Sequence, residues 1–200
     1  VETGRFQVSG EDLTNSNPRS IAENGVAYVP EDRDERGLIL SMSIKENLML
    51  RDYYKKPYRE RFLLNMDEIE RNAREKVEEY NIVTPSLNSS AELLSGGNLQ
   101  RLVLAREISG EPKLLIAAYP THGLDVGSVE DIRRLLLKQR ERGGAVFLVS
   151  EDLDEIMMLS DRIAVIYEGE IIGIVDTDEV TREEVGLMMT GTPEEELENV

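Results

Sequence analysis

Residues 93–108 read LLSGGNLQRLVLAREI, a serine and two glycines that lead into apolar residues at helical spacing. Ser95 is a residue type that caps helix N-termini, so the pattern predicts a helix beginning there. Gly96 and Gly97 lack Cβ atoms, which lets a ligand approach the unpaired N–H groups of the first turn. Such an end carries the positive pole of the helix dipole and attracts phosphate. An ordinary serine-capped helix after a Gly-Gly turn is the alternative interpretation of these residues alone.

The pattern on either side of this helix predicts an alternation of strands and helices. Apolar runs predict buried strands over residues 26–29, 113–118 and 145–149, and a hairpin over residues 162–175. Capping and stop signals predict helices after Asn17-Pro18, after Ser43 with Glu46, over residues 65–80 and over residues 128–142. In the third of these helices, one apolar face is predicted to contain Met66, Ile69, Ala73, Val77 and Tyr80.

Three further motifs flank the glycine-rich helix in a definite order. Residues 30–38, directly after the first predicted buried strand, read PEDRDERGL. Residues 120–125 follow the next buried strand and read PTHGLD, and residues 160–162 read SDR. Taken with LSGGN at residues 94–98, this order resembles ABC-type ATPases over residues 4–175. The PEDR loop resembles that of the sugar and nucleoside importers within that family.

The resemblance implies a fold class and a division of the chain. The expected fold is α/β, a partial P-loop NTPase of the ABC nucleotide-binding type with a helical subdomain. Residues 1–50 would belong to the ATPase core with its Q-loop-like segment, and residues 51–100 would be the helical subdomain ending in the signature. Residues 101–175 would complete the core with a Walker B-like strand, a D-loop and a C-terminal hairpin, and residues 176–200 would be an acidic tail.

The same resemblance implies which residues face nucleotide. The expected ATP-facing residues are Leu94, Ser95, Gly96, Gly97 and Asn98 in the signature, Asp125 in the D-loop and Glu31 at the Q-loop position. A solvated loop around Glu31 and a simple Asx-type helix cap at Asp125 are the alternative interpretations of those two residues.

The chain departs from the family pattern at the residues that perform chemistry. The usual Asp-Glu-Pro-Thr ending of the Walker B strand is replaced by Ala118-Tyr119-Pro120-Thr121. Neither alanine nor a neutral phenol can hold Mg²⁺ water or polarise an attacking water as those carboxylates would. Glu151 stands where a switch histidine is usual, and His122 is interpreted as structural rather than as a substitute. No catalytic residue is therefore assigned, and these 200 residues alone are not expected to hydrolyse ATP.

No Gly-x-x-x-x-Gly-Lys-Ser/Thr phosphate loop occurs in these residues. The resemblance places that loop before Arg5. The chain is therefore expected to be an N-terminally truncated domain that lacks its Walker A motif. The missing strand would lie between residues 145–149 and 162–167. The fragment would then close the gap, borrow a strand, or leave an edge open to self-association.

Composition limits the classes of partner. A net charge of −17 argues against nucleic acid and disfavours anionic lipid, although residues 51–61, RDYYKKPYRER, are locally basic and aromatic. We interpret that segment as subdomain surface or a protein contact. The absence of cysteine and the single histidine leave no thiolate or imidazole metal site. No apolar run approaches the ~20 residues of a membrane-spanning helix, which predicts a soluble chain.

These features lead to a specific functional hypothesis. The chain is expected to be the degenerate second nucleotide-binding domain of a fused ABC importer, peripheral on the cytoplasmic face of the membrane. It would supply its signature to ATP held by the first domain, with Mg²⁺ held mainly by that partner, and would dock on integral membrane permease subunits. The Ala-Ala-x-Pro-Thr ending at residues 117–121 resembles nucleoside-type importers more than ribose-type ones. The alternatives are a catalytically silent ABC-type interaction module and a non-transport ABC ATPase.

Overall fold

A small hairpin and a short helix precede the first strand of the central sheet. Strands β1, Gln7–Val8, and β2, Glu11–Asp12, pair antiparallel, so the strand predicted over residues 4–10 is only two residues long. Helix α1, Pro18–Glu23, begins at Asn17, whose side chain accepts from the Ser20 N–H as the sequence predicts. Strand β3, Val26–Val29, follows. The structure, a computed structural model, describes residues 3–194.

The next segment contains mostly short elements. It comprises a π-helical turn at Arg33–Gly37, helix α2 at Ile44–Met49, strands β4 at Arg59–Glu60 and β5 at Leu63–Leu64, helix α3 at Met66–Glu79 and a 3-10 turn at Ala91–Leu93. The predicted capping box of α2 is confirmed, since the Ser43 and Glu46 side chains each bond the other's backbone N–H. Strands β4 and β5 form a hairpin that the sequence pattern does not predict.

The amphipathic character of α3 is confirmed with one exception. Ile69, Ala73 and Tyr80 are buried on its predicted apolar face and Val77 is partly buried, whereas Met66 is half exposed. Met66 is the first residue of the helix and closely follows the exposed β4–β5 hairpin. The outer face of the helix carries ion pairs between residues four apart, as expected for a solvated helix surface.

Helix α4, Gly96–Ile108, is the central helix of the first compact unit, Val1–Phe147. Its residues 102–105 are fully buried, so it is covered on nearly all sides. Strand β6, Leu114–Ala118, pairs parallel with β3, placing Val26 opposite Leu114 and Val29 opposite Ala117. Helix α5, Val126–Glu141, then leads to strand β7, Ala145–Val149, and the sheet order is β3-β6-β7.

The second compact unit, Leu148–Val200, is built on the predicted hairpin. It contains helix α6 at Leu153–Leu159, strands β8 at Arg162–Tyr167 and β9 at Glu170–Asp176, and helix α7 at Arg182–Met189. Ile163, Val165 and Val175 from the hairpin pack against Val185 and Met188 from α7. Residues 195–200 of the predicted acidic tail lie outside the described residues.

The strand ladders bear on the predicted missing strand. Over residues 3–194, β7 has β6 as its ladder partner and β8 pairs with β9 alone. One edge of β7 is therefore open among the described residues, which is one of the three expected outcomes. Self-association through that edge stays a prediction. Within the same residues, no helix combines the length and the apolar character that crossing a bilayer requires.

Candidate functional site

Ser95 occupies the N-cap position of α4 without capping it. Its backbone is extended, as a cap requires, but its side chain accepts no hydrogen bond from a backbone N–H of the first turn. The prediction of a side-chain cap is therefore wrong, because Ser95 Oγ instead accepts from Asn98 Nδ2 at 2.9 Å. Since that bond uses a lone pair of the hydroxyl oxygen, the O–H of exposed Ser95 can still donate to a ligand.

Asn98 holds this arrangement in place through its amide oxygen. Asn98 Oδ1 accepts from the Val83 N–H at 2.8 Å and from Arg101 Nη1 at 3.2 Å. Arg101 Nη2 in turn donates to Asp131 Oδ2 at 2.5 Å on helix α5. The side chain that orients the Ser95 hydroxyl is thus fixed by contacts to both preceding backbone and a neighbouring helix.

Gly97 lies where the first turns of α4 and α5 touch. A Cβ atom on Gly97 would stand 2.2 Å from Ser128 Oγ and 2.9 Å from Ser128 Cβ, both shorter than any allowed contact. Ser128 is itself buried, so it has little freedom to retreat. Gly97 is therefore required for the packing of α4 against α5, a role that the sequence analysis does not identify.

Asp125 caps α5 and holds the same serine. Its carboxylate accepts from the Ser128 N–H at 3.0 Å and from the Ser128 hydroxyl at 2.8 Å, which confirms the Asx-type cap. The hydroxyl bond, followed by the backbone bond, lowers the pKa of the Asp125 carboxyl from its ordinary value. Asp125 remains exposed, so a further contact to a partner is sterically open.

Arg33 connects the PEDR loop to the glycine-rich helix, and the sequence analysis misses it. Its Nη1 donates to the His122 carbonyl at 3.0 Å. Its Nη2 would lie 3.1 Å from a Cβ on Gly96 and 4.0 Å from one on Gly123. The guanidinium thus lies against two glycines, and a cation stands beside the helix end that is predicted to receive phosphate. An arginine in the PEDR loop is the only signal that the sequence offers for this contact.

A second region, the polar groove, lies where β3 and β6 end. Because parallel strands end at the same edge of a sheet, the segments after Val29 and after Ala118 lie side by side there. The groove has a volume of about 540 Å³ and is lined by Glu31, Ala118, His122 and Gly123, together with Arg33 and its neighbours. Glu31 at the Q-loop position and Ala118 at the end of the Walker B-like strand therefore share one groove.

The polar groove does not contain every residue that the family resemblance places at the nucleotide site. The signature residues 94–98 are absent from its lining, and Glu151 belongs to the second unit. Tyr119 adopts the left-handed backbone conformation with φ 47°, which is unusual for a bulky side chain. Among residues 3–194 no cluster of three His, Asp or Glu side chains is placed to hold a metal ion.

A third region, the arginine groove, lies between the PEDR loop and residue 51. It has a volume of about 380 Å³, and its lining includes Arg36, Arg51 and Arg106 beside an apolar wall. The Glu107 carboxylate pairs with both Arg51 and Arg106, and Arg51 Nη2 also donates to the Val26 carbonyl at 2.6 Å. Three guanidinium groups against one carboxylate leave the groove with an excess of positive charge.

Comparison with known proteins gives matches along nearly the whole chain. A sequence model of the ABC transporter family matches residues 1–122. The guanosine import ATP-binding protein NupO of Bacillus subtilis is 46% identical over 196 residues, which are 98% of this chain and 38% of NupO. The nucleoside import ATP-binding protein NupA of Lactococcus lactis is 44% identical over 191 residues, 96% of this chain and 38% of NupA. The chain thus spans well under half the length of these relatives.

Solved structures share the fold at lower sequence identity. The ATP-binding cassette MJ0796, in a dimeric post-hydrolysis state bound to ADP and phosphate, matches with a TM-score of 0.72 and 23% identity. That match covers 88% of this chain and 74% of the other. A second match is cbiO1 of Clostridium perfringens, part of the ABC transporter complex cbiONQ, with a TM-score of 0.69 and 24% identity over 93% of this chain and 71% of the other. The predicted α/β fold of a P-loop ABC nucleotide-binding domain is confirmed.

Proposed function

The chain belongs to the ABC transporter family, and we propose that it is the degenerate second nucleotide-binding domain of an importer for nucleosides or simple sugars. The PEDR loop and the import proteins among the relatives support this class of transporter. The matched relatives NupO and NupA are named for guanosine and nucleoside import, and a relative at 45% identity is named for glucose import, so the proposal includes both substrate classes.

In this proposal the domain acts on ATP that its partner holds. ABC domains pair so that the signature of one faces ATP on the other. The observation that carries the proposal is the Asn98 to Ser95 hydrogen bond, which leaves the Ser95 O–H free to donate to a γ-phosphate oxygen. The Gly96 and Gly97 amides and the nearby Arg33 guanidinium would add positive charge at the same place.

The polar groove would contribute little chemistry of its own. Ala118 offers no oxygen to the Mg²⁺ shell, and Tyr119 carries a phenol in place of the catalytic carboxylate. Glu31 is exposed in this groove and stays a candidate for contact with nucleotide at the Q-loop position. Mg²⁺ would accordingly be held mainly by the first nucleotide-binding domain, which is the partner that this proposal requires.

The arginine groove is the proposed docking surface for the permease. It lies between the PEDR loop and Arg51, and its positive charge suits an acidic or helix C-terminal partner. The domain would then work on the cytoplasmic face of the membrane. Crosslinks from Arg36→Cys in a reconstituted importer are expected to reach the permease. Crosslinks that consistently avoid this groove would argue against docking here.

The division of labour can be tested by ATP turnover of the complete protein that carries this chain. Gly96→Asp places a carboxylate where phosphate would bind, and we expect turnover to fall roughly a hundredfold, as when an anion-binding donor is lost. The new carboxylate would stand near Arg33 at a helix N-terminus, so folding should be preserved. The matched control is Tyr119→Phe, which removes only a phenolic oxygen and should leave turnover within about twofold.

Two outcomes would contradict the proposal. Wild-type turnover with Gly96→Asp, at unchanged thermal stability, would make the signature here a relic and favour a silent interaction module. A large loss of turnover with Tyr119→Phe would mean that the end of strand β6 performs chemistry of its own. Circular dichroism and thermal unfolding of both variants separate these outcomes from simple misfolding.

A further inference from the structure

The β4–β5 hairpin, defined here as residues 59–64, exposes several large apolar side chains to solvent. Phe62 at its turn is 91% exposed, and Leu63 beside it is 76% exposed. Leu64 and the adjacent Met66 are 40% and 49% exposed. A hairpin of two residues per strand has marginal stability in water, and a contiguous apolar tip of this kind marks an interaction surface.

The register of the hairpin directs these side chains to both of its faces. Arg59 stands opposite Leu64, and Glu60 stands opposite Leu63. Directly opposed residues share a face, and consecutive residues point to opposite faces. Leu63 and Leu64 therefore project from opposite faces, with Phe62 at the end between them. A docking site on a folded protein covers one face of such a ribbon, whereas a lipid interface surrounds its tip.

The net charge of the segment that contains the hairpin is opposite in sign to that of the whole chain. Residues 51–64 contain five Lys or Arg side chains and two carboxylates, in a chain whose net charge is −17. One of those carboxylates, Asp52, is already paired with Lys55 at 2.7 Å. Lys56, Arg59 and Arg61 are all exposed. Since charges separated by more than about 8 Å are screened at physiological salt, a surface that meets the hairpin responds to this local positive charge.

We propose that the β4–β5 hairpin is a membrane-interface contact, in which Phe62 and Leu63 enter the headgroup region of a bilayer while Lys56, Arg59 and Arg61 meet anionic lipid headgroups. Apolar side chains flanked by basic ones are the combination that binds such interfaces. The net charge of −17 disfavours contact between anionic lipid and the surface as a whole. The hairpin belongs to a segment whose local charge is positive, so this repulsion does not apply to it. This inference concerns the lipid alone and does not require the importer function.

Flotation with lipid vesicles tests the proposal in the complete protein that carries this chain. The protein is expected to float with vesicles of phosphatidylcholine mixed with phosphatidylglycerol, and far less with phosphatidylcholine alone. Added salt should weaken the binding, because screening reduces attraction to the anionic surface. Phe62→Ser combined with Leu63→Ser should reduce partitioning about tenfold or more, since two exposed apolar side chains lose their burial in the interface.

Matched controls separate the hairpin from general surface effects. Met158→Gln removes an apolar side chain of similar exposure on helix α6 and should leave flotation unchanged. Lys56→Gln with Arg61→Gln should weaken binding to anionic vesicles about 25-fold, since each charge contributes about fivefold. Arg134→Gln, an exposed arginine on helix α5, should not.

The contrary results are equally definite. Equal flotation of wild type and the Phe62→Ser, Leu63→Ser variant, with both folded by circular dichroism, would overturn the proposal. So would a photo-crosslinker at position 62 of the membrane-bound protein that reacts only with a protein and not with lipid. A Gly96→Asp protein that has lost ATP turnover is still expected to bind anionic vesicles. That result would show that the lipid contact does not depend on the proposed role in ATP hydrolysis.

Discussion

The glycine-rich end of α4 and the polar groove differ in which features of the family pattern they contain. At the helix end, Gly97 and Ser128 fit so closely that a single added carbon does not fit. The polar groove is open, and alanine stands at the position where the family carries a carboxylate. One region retains a tight geometry and the other has lost its chemical groups. In the proposed function, the helix end is the region that a partner domain would contact.

The largest expected effect is a loss of stability when the contact between Gly97 and Ser128 is disturbed. Gly97→Ala should destabilise the first unit by about 3 kcal/mol, because α4 and α5 must separate to admit the methyl group. Urea unfolding followed by circular dichroism measures this change. Gly186→Ala on helix α7 is the matched control, since nothing lies within 4 Å of its added Cβ and alanine favours the helix.

A second substitution tests the cause of that loss. Ser128→Gly removes both atoms that the new methyl group would meet, so adding it to Gly97→Ala should recover part of the lost stability. Additive losses in the double variant would show that the Gly97–Ser128 contact is not what limits position 97. The comparison between a tight helix end and an open groove would then lose its main support.

The next effect separates function from stability at the same helix end. Ser95→Ala should raise the barrier to ATP turnover of the complete protein by about 1.5–3 kcal/mol, the worth of a hydrogen bond to a charged group. It should leave the unfolding free energy nearly unchanged, because the Ser95 hydroxyl caps nothing. Ser43→Ala is the contrast, since it removes a functioning cap and should cost about 1 kcal/mol of stability.

A stability loss with Ser95→Ala equal to that with Ser43→Ala would contradict the observed side-chain geometry. Unchanged turnover would instead remove Ser95 from the proposed nucleotide contact. Steady-state phosphate release and thermal unfolding, measured on the same preparations, distinguish these two results.

Arg33 joins the two regions, and its removal should have a smaller effect. Arg33→Met keeps most of the apolar stem but loses the hydrogen bond to the His122 carbonyl, which should cost about 1 kcal/mol. Arg134→Met removes a well-exposed arginine and should be nearly neutral. Hydrogen exchange should show faster opening around residues 122–124 in Arg33→Met. Loss of protection confined to α4 would mean that Arg33 supports the helix rather than the groove.

The sequence predicted the regular elements well because their signals are local. Strand Val26–Val29, the capping box at Ser43 and the start of α1 after Asn17 each depend on neighbouring residues or on a simple period. The β4–β5 hairpin was missed because its turn lacks the glycine or asparagine that usually marks one, and Arg61 takes the left-handed conformation with φ 54° instead.

The contacts within the candidate site were less accessible to sequence reasoning. The Ser95 cap was predicted from residue type, but Asn98 competes for the same hydroxyl and is itself held by the distant Val83 N–H. The placement of Arg33 against Gly96 and the contact of Gly97 with Ser128 depend on how separate elements pack. Residue type identifies a candidate in each case, whereas its partner is set by tertiary structure.

The smallest predicted effect concerns the acid that caps α5. The lowered pKa of Asp125 means that its contribution to stability is present above the unfolded-state pKa and is lost as pH falls through the folded-state pKa. Ser128→Ala removes the hydroxyl, the largest cause, so the pKa of Asp125 should rise while the remaining Ser128 N–H bond keeps part of the shift. Carbon-detected NMR titration of the side-chain carboxyl group measures this, with Asp12, lowered by Thr14, as the unaffected control. Because Gly97→Ala must displace the same hydroxyl, it should also raise the pKa of Asp125. An unchanged titration in both variants would mean that the helix end adapts without moving Ser128, and the tight contact would be softer than its geometry indicates.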